Sequence, residues 1–174
     1  MARSSVMTVQ AVAVLVVGAT AVLNLLLTFA VLRRLRLHAA LLESISSGPE
    51  DLVGRTVPEF TVRTSEGETV SRSDLAGREY VIGFFSATCA PCKEQAPEFA
   101  RLAEARSNAA LSVVMGDGPG VDELRAALVG VPTVVVERDH PIAGEFGVDG
   151  FPSIMLVDAE NTVVAAGASV RSLG

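Results

Sequence analysis

YVIGFFSATCAPCK, residues 80–93, runs from an unbroken apolar segment straight into a Cys-Ala-Pro-Cys turn. Tyr80 to Phe85 is the pattern of a strand buried on both faces. From Ala90 to Glu104 the spacing predicts a helix, with Phe99, Leu102 and Ala103 on one side. Cys89 and Cys92 therefore stand where a buried strand gives way to a helix. A helix start carries partial positive charge and free N–H groups, which favours a thiolate at Cys89. Two intervening residues bring the second sulfur within one helical turn, so the pair can close a disulfide without moving the backbone. Pro91 suits the first turn, where its missing N–H costs nothing.

Working outward, the same alternation of short strands and helices continues. Before the motif, Phe60 to Val62 and Thr69-Val70 form a hairpin about a Glu66-Gly67 turn. After it come a strand at Leu111–Met115 and a helix at Val121–Val129, with Asp122 and Glu123 in its first turn. A strand at Thr133–Val136, a short helix at Ile142–Phe146 and a strand at Ser153–Val157 follow. Asp158–Asn161 then turns the chain into an antiparallel partner at Thr162–Ala166. Helices between strands predict an α/β fold with a mixed sheet covered on both faces. The chain stops at Gly174 without the helix expected to complete that cover, since residues 171–174 are too short to supply it.

A proline directly before a core strand points to a cis bond or an edge position. Gly147 to Ser153 (GVDGFPS) has that form, and we expect a cis Phe151–Pro152 bond beside Cys89. Its backbone would pair with an extended substrate. Pro132, in GVPT at 130–133, is the competing position, but it comes too early in the order of elements.

The first fifty residues are different. No charged side chain occurs from Val6 to Leu32. As a helix this run reaches about 40 Å, and a bilayer core needs about 30 Å. That length exceeds the apolar region of a cleaved signal peptide. The expected organisation is a tail at 1–5, a transmembrane anchor at 6–32, a juxtamembrane helix and linker at 33–49, and a globular domain at 50–174. Arg3 and the amino terminus precede the span, and Arg33, Arg34 and Arg36 follow it. The positive-inside rule alone would put the domain in the cytoplasm.

Composition narrows the chemistry. The net charge is −6 and the globular part has no basic cluster, which argues against nucleic acid as a partner. Two cysteines cannot complete a structural zinc sphere by themselves. A set of Cys89, Cys92, His140 and a carboxylate is the one conceivable metal site. No metal and no cofactor is expected.

With these residues in hand, the chain resembles the TlpA/ResA-like thioredoxin family, within the AhpC/TSA–redoxin superfamily. The resemblance runs from about residue 52 to 170. It rests on the entry segment Leu52–Phe60, on FFSATCAPCK at 84–93, on Pro97 at the helix-kinking position, and on Gly150 to Ser153 with Leu156–Asp158. The anchor, the leucine-rich stretch after it and the Pro132–Pro152 region look closest to MauD-like proteins. The resemblance implies a membrane-tethered, extracytoplasmic thiol–disulfide oxidoreductase acting on client protein thiols and disulfides, with an upstream thiol electron donor. We take that side over the charge count. Cys89 and Cys92 would be catalytic, and Thr88, Ala90, Pro91, Phe151 and Pro152 would bind the client.

Two departures stand out. Thioredoxins carry a buried acid six residues before the first cysteine, and here that position is Gly83. Their usual tryptophan before the first cysteine is Thr88. Two other functions compete. A peroxiredoxin-like peroxidase would need proline and threonine where this chain has Ile82 and Ser86. A non-enzymatic copper-handling or scaffold protein would recruit His140, which we expect to be structural.

Overall fold

The computed structural model describes Gly18, Thr20, residues 48–106 and residues 109–173. The chain divides into two compact units, Met1–Glu43 and Ser44–Gly174. Of the first unit, only Gly18 and Thr20 are described, and both are helical. The expected anchor at 6–32 otherwise lies outside the described residues. Among the described residues, no helix is long and apolar enough to cross a membrane.

In the second unit the strands are β1 (Thr61–Arg63), β2 (Thr69–Ser71), β3 (Tyr80–Ser86), β4 (Ala110–Met115), β5 (Thr133–Val136), β6 (Ser153–Val157) and β7 (Val163–Gly167). The helices are α1 (Arg72–Leu75), α2 (Ala90–Ala105), α3 (Pro119–Ala127) and α4 (Ile142–Glu145). β1 and β2 form a separate antiparallel hairpin. The main sheet has the order β5-β4-β3-β6-β7. β3 runs parallel to β4, and β4 to β5, while β6 is antiparallel to both β3 and β7. The mixed sheet expected from the sequence is therefore present, with β3 at its centre.

Every residue from Tyr80 to Phe85 is buried, because elements cover both faces of β3. Alternation along the strand sends Val81 and Phe85 toward α2 and α3. It sends Tyr80, Ile82 and Phe84 to the opposite core with Phe60, Ile142 and Phe146. Cys92, Ala96, Phe99 and Ala103 make the buried stripe of α2, at the spacing of a helix packed by one side. The ring of Phe99 meets Phe85 edge-on, with centroids 5.5 Å apart.

Three local expectations change. α3 starts at Pro119, two residues before the predicted start, because proline fits a first turn and Gly118 supplies the positive φ before it. Glu123 consequently leaves the first turn. α1 was not foreseen in the sequence. Ser71 starts it by donating both its backbone N–H (2.8 Å) and its hydroxyl (2.6 Å) to Asp74 Oδ2. These bonds hold the Asp74 carboxyl below the usual carboxylate range. Finally, the α2 face of the sheet is less bare than residues 171–174 suggested. A 3-10 turn at Val170–Leu173 buries Leu173 in that core, and the Val170 N–H donates to Gln95 on α2 at 3.0 Å.

Tyr80 is the single tyrosine of the chain. Its hydroxyl donates to Asn161 Oδ1 at 3.0 Å. Burial pushes the phenol up to about 12, with Asp158 adding to the rise and Arg72 opposing it. The folded-state value lies above the unfolded one, so the contribution is complete below about pH 10. It is lost as pH climbs toward 12, because the unfolded chain ionises first. We expect urea unfolding to show stability falling by on the order of 2 kcal/mol across that window. Tyr80→Phe should flatten the dependence. An unchanged slope in the variant would refute the assignment.

Candidate active site

β3 carries the chain out of the core at Ser86. The Ala87 N–H donates to the Met115 carbonyl at 2.9 Å, and the Cys89 N–H donates to Ser86 O at 3.1 Å. These bonds form a short turn that ends with Cys89 as the residue capping α2. Its backbone is extended, and its sulfur accepts the Cys92 N–H at 3.2 Å. Pro91 lies in the first turn, as the sequence predicts. The two cysteines form a disulfide, with Cα atoms 5.3 Å apart.

The two sulfurs are not equivalent. Cys92 is fully buried, and its Sγ lies 3.4 Å from the Ser86 N–H. Cys89 is half-buried, with exposed Thr88, Ala90 and Pro91 around it. An incoming thiol or disulfide can therefore reach Cys89 and not Cys92. A thiolate at Cys89 has the Cys92 N–H and the positive end of α2 to stabilise it.

The Phe151–Pro152 peptide bond is cis, and it is the only cis bond among the described residues. Pro132 is thus not the cis position. The Phe151 carbonyl oxygen lies 3.4 Å from Cys89 Sγ. Pro152 is buried and Phe151 is half-buried. The Ser153 hydroxyl ties the turn by donating to the Gly150 carbonyl at 2.8 Å. Cys89, Cys92, Phe151 and Pro152, distant in sequence, are thus brought together, with Thr88, Ala90 and Pro91 at the rim.

Other sequence expectations separate from the site. Nδ1 of His140 accepts the Ile142 N–H at 3.3 Å, at the start of α4. Among the described residues no group of three or more His, Cys, Asp or Glu could hold a metal ion. The zinc arrangement with His140 is therefore not assembled there. Ile82 packs in the core on the face away from α2, and Ser86 Oγ lies 3.4 Å from Thr88 Oγ1. Pro97 sits inside α2 as expected.

Some neighbours were invisible in the sequence. The Ser86 N–H is one, because any residue could present it. The glycine-rich loop GDGPG, residues 116–120, is another: it reads only as a turn. A Cβ on Gly116 would lie 2.9 Å from the Ala87 side chain, and one on Gly120 would strike the Ala87 carbonyl. These glycines let the start of α3 press against the active-site turn. A third is the ion pair of Lys93 with Glu123, 2.6 Å between Nζ and Oε2.

The chain is 26 % identical over 130 residues to the thiol-disulfide oxidoreductase ResA of Bacillus subtilis (strain 168), covering 70 % of this chain and 67 % of ResA. It is 25 % identical over 116 residues to ResA of Bacillus thuringiensis (strain Al Hakam), covering 64 % and 67 %. These relatives do not confirm the finer likeness to MauD. Among solved structures, the thioredoxin domain of a thiol-disulfide oxidoreductase from Bacteroides vulgatus superposes with a TM-score of 0.59 at 22 % identity, over 70 % of this chain and 91 % of that one. A secreted Mycobacterium tuberculosis disulfide oxidoreductase homologous to E. coli DsbE gives 0.52 at 20 %, over 60 % and 79 %. At those identities the likeness establishes the thioredoxin-like fold. The AhpC/TSA family itself matches residues 53–166, well over half of the sequence, and the chain belongs to that family.

Proposed function

We propose that this protein is a membrane-tethered thiol–disulfide oxidoreductase that reduces or shuffles disulfides in client proteins. One observation carries the chemistry: an accessible and a buried cysteine are disulfide-bonded at a helix start, and the accessible one, Cys89, lies 3.4 Å from the Phe151 carbonyl oxygen. In the reductive direction, the Cys89 thiolate attacks a client disulfide. A bond forms between Cys89 and one client sulfur, and the other leaves as a thiolate that takes up a proton. Cys92 loses its proton and attacks Cys89 Sγ, which re-forms the protein disulfide and releases the second client thiol. An upstream thiol donor then reduces Cys89–Cys92. In reverse, the same steps oxidise a client dithiol.

Phe151, Pro152, Thr88, Ala90 and Pro91 form the client-binding surface. The backbone at Phe151 pairs with an extended client segment. The charge-free run Val6–Leu32 supports a single-pass anchor in the cell membrane. The names of the ResA relatives support the disulfide chemistry. The domain lies on the extracytoplasmic side, where disulfides persist.

Thiol trapping of the full chain in a glutathione or dithiothreitol series tests this. We expect one reversible two-electron transition involving both cysteines. A potential near −270 mV (about that of thioredoxin) marks a reductant, and one near about −120 mV marks an oxidant. A folded sample without such a transition would remove the oxidoreductase assignment. The same trapping with a membrane-impermeant maleimide on intact cells reads the side. Labelling only after permeabilisation would place the domain in the cytoplasm instead.

A further inference from the structure

Lys93 follows the second cysteine and is the only base between Ala90 and Gln95 or between Pro119 and Leu124. It stands four residues after Cys89, one turn along the same side of α2. An ammonium free to lean toward Cys89 would add a full positive charge to the partial charge of the helix end. In the structure it is engaged elsewhere, 2.6 Å from Oε2 of Glu123 on α3. That helix is the one whose start presses on Ala87 of the active-site turn. The flanking segments also carry exposed charges: the acids Glu94 on α2, Asp117 and Asp122 around the start of α3 and Asp149 before the cis bond, and the bases Arg125 on α3 and Arg171 in the 3-10 turn that packs on α2. Lys93 is the base nearest to the cysteine pair along the chain.

We propose that Glu123 sets the redox poise of the Cys89–Cys92 pair by holding the Lys93 ammonium against α3. The proposal rests on the oxidoreductase reading above. Glu123 touches no reacting atom and is a positioning residue. In the glutathione equilibrium, the protein S–S bond breaks, one S–S bond forms between two glutathiones, and two protons pass from glutathione to the protein cysteines. Cys89 gives up its share to solvent to the extent that it stays a thiolate. A free positive charge beside Cys89 favours that thiolate, and with it the reduced protein. By occupying Lys93, Glu123 shifts the balance toward the disulfide. The two side chains are 39 % and 58 % exposed, so the effect is modest and screened by salt.

The test uses the full chain. Glu123→Gln should move the glutathione equilibrium toward the dithiol by about three- to tenfold at low salt, tenfold being about 30 mV. It should also lower the pH midpoint of Cys89 alkylation, and both shifts should shrink in concentrated salt. The double exchange Lys93→Glu/Glu123→Lys keeps a tether between the helices but places the carboxylate on α2. Both readouts should then move the opposite way. If the exchange behaves like the parent, Glu123 is only a tether and the proposal fails. It fails equally if Glu123→Gln is silent while the parent titrates normally, or if its effect is undiminished in a Lys93→Met background. A parent that shows no two-cysteine transition would instead remove the oxidoreductase reading.

Discussion

Cys92→Ser will accumulate a covalent complex with client protein, and Cys89→Ser will reduce disulfide exchange to the uncatalysed level. Burial dictates the asymmetry. Cys89 is the sulfur that an outside partner can reach, while Cys92 has no exposed surface. Without Cys89, the remaining thiol is buried on the inner side of the first turn of α2 and cannot meet a client disulfide. Without Cys92, attack by Cys89 still succeeds. The mixed disulfide then lacks the neighbouring thiol that resolves it, because the chain contains only these two cysteines. Non-reducing electrophoresis with a model disulfide substrate separates the outcomes. A trapped adduct in Cys89→Ser, or equal turnover by both variants, would reverse the assigned roles.

Gly83→Asp will destabilise the fold by about 3 kcal/mol or more, although thioredoxins place an acid at this point of the sequence. Gly83 pairs with Ser112 on β4 and Ile154 on β6, in the middle of the sheet. A Cβ there would lie 2.7 Å from Phe85 Cε2 and 3.0 Å from Phe99 Cε2. The edge-on pair of Phe85 and Phe99 fills the space that an acid would use. Gly83→Ala isolates the steric part, about 1–3 kcal/mol. The aspartate adds a carboxyl buried among rings, which raises its folded-state pKa. The sign then follows: the Asp variant is least unstable below the ordinary carboxylate range and loses further stability as pH rises. Urea unfolding of the oxidised proteins at two pH values measures both parts. A Gly83→Asp protein within about 1 kcal/mol of the parent at pH 7 would show that the ring packing does not exclude the acid.

Much of the molecule was legible along the chain. The apolar run at 80–85, the Cys-Ala-Pro-Cys turn and the proline before Ser153 each announce themselves within a few residues. Backbone period, helix-start chemistry and proline geometry are local properties. The succession of β3 to β7 along the chain and the cis Phe151–Pro152 bond followed from them. Boundaries drifted where local signals competed. Pro119 and Gly118 started α3 early, and the Ser71–Asp74 box made a helix too short to show a period.

The sequence by itself determined most of the elements, their succession along the chain, and the placing of both cysteines at a helix start, because side-chain periodicity and turn residues act over a few positions. Only the tertiary structure decided that the rings of Phe85 and Phe99 fill the space beside Gly83, and that Glu123 receives Lys93 across 30 positions. Those outcomes depend on how α2 and α3 pack on the sheet and on each other. That packing is a sum of many small contacts between distant residues, and no local pattern in the chain encodes it.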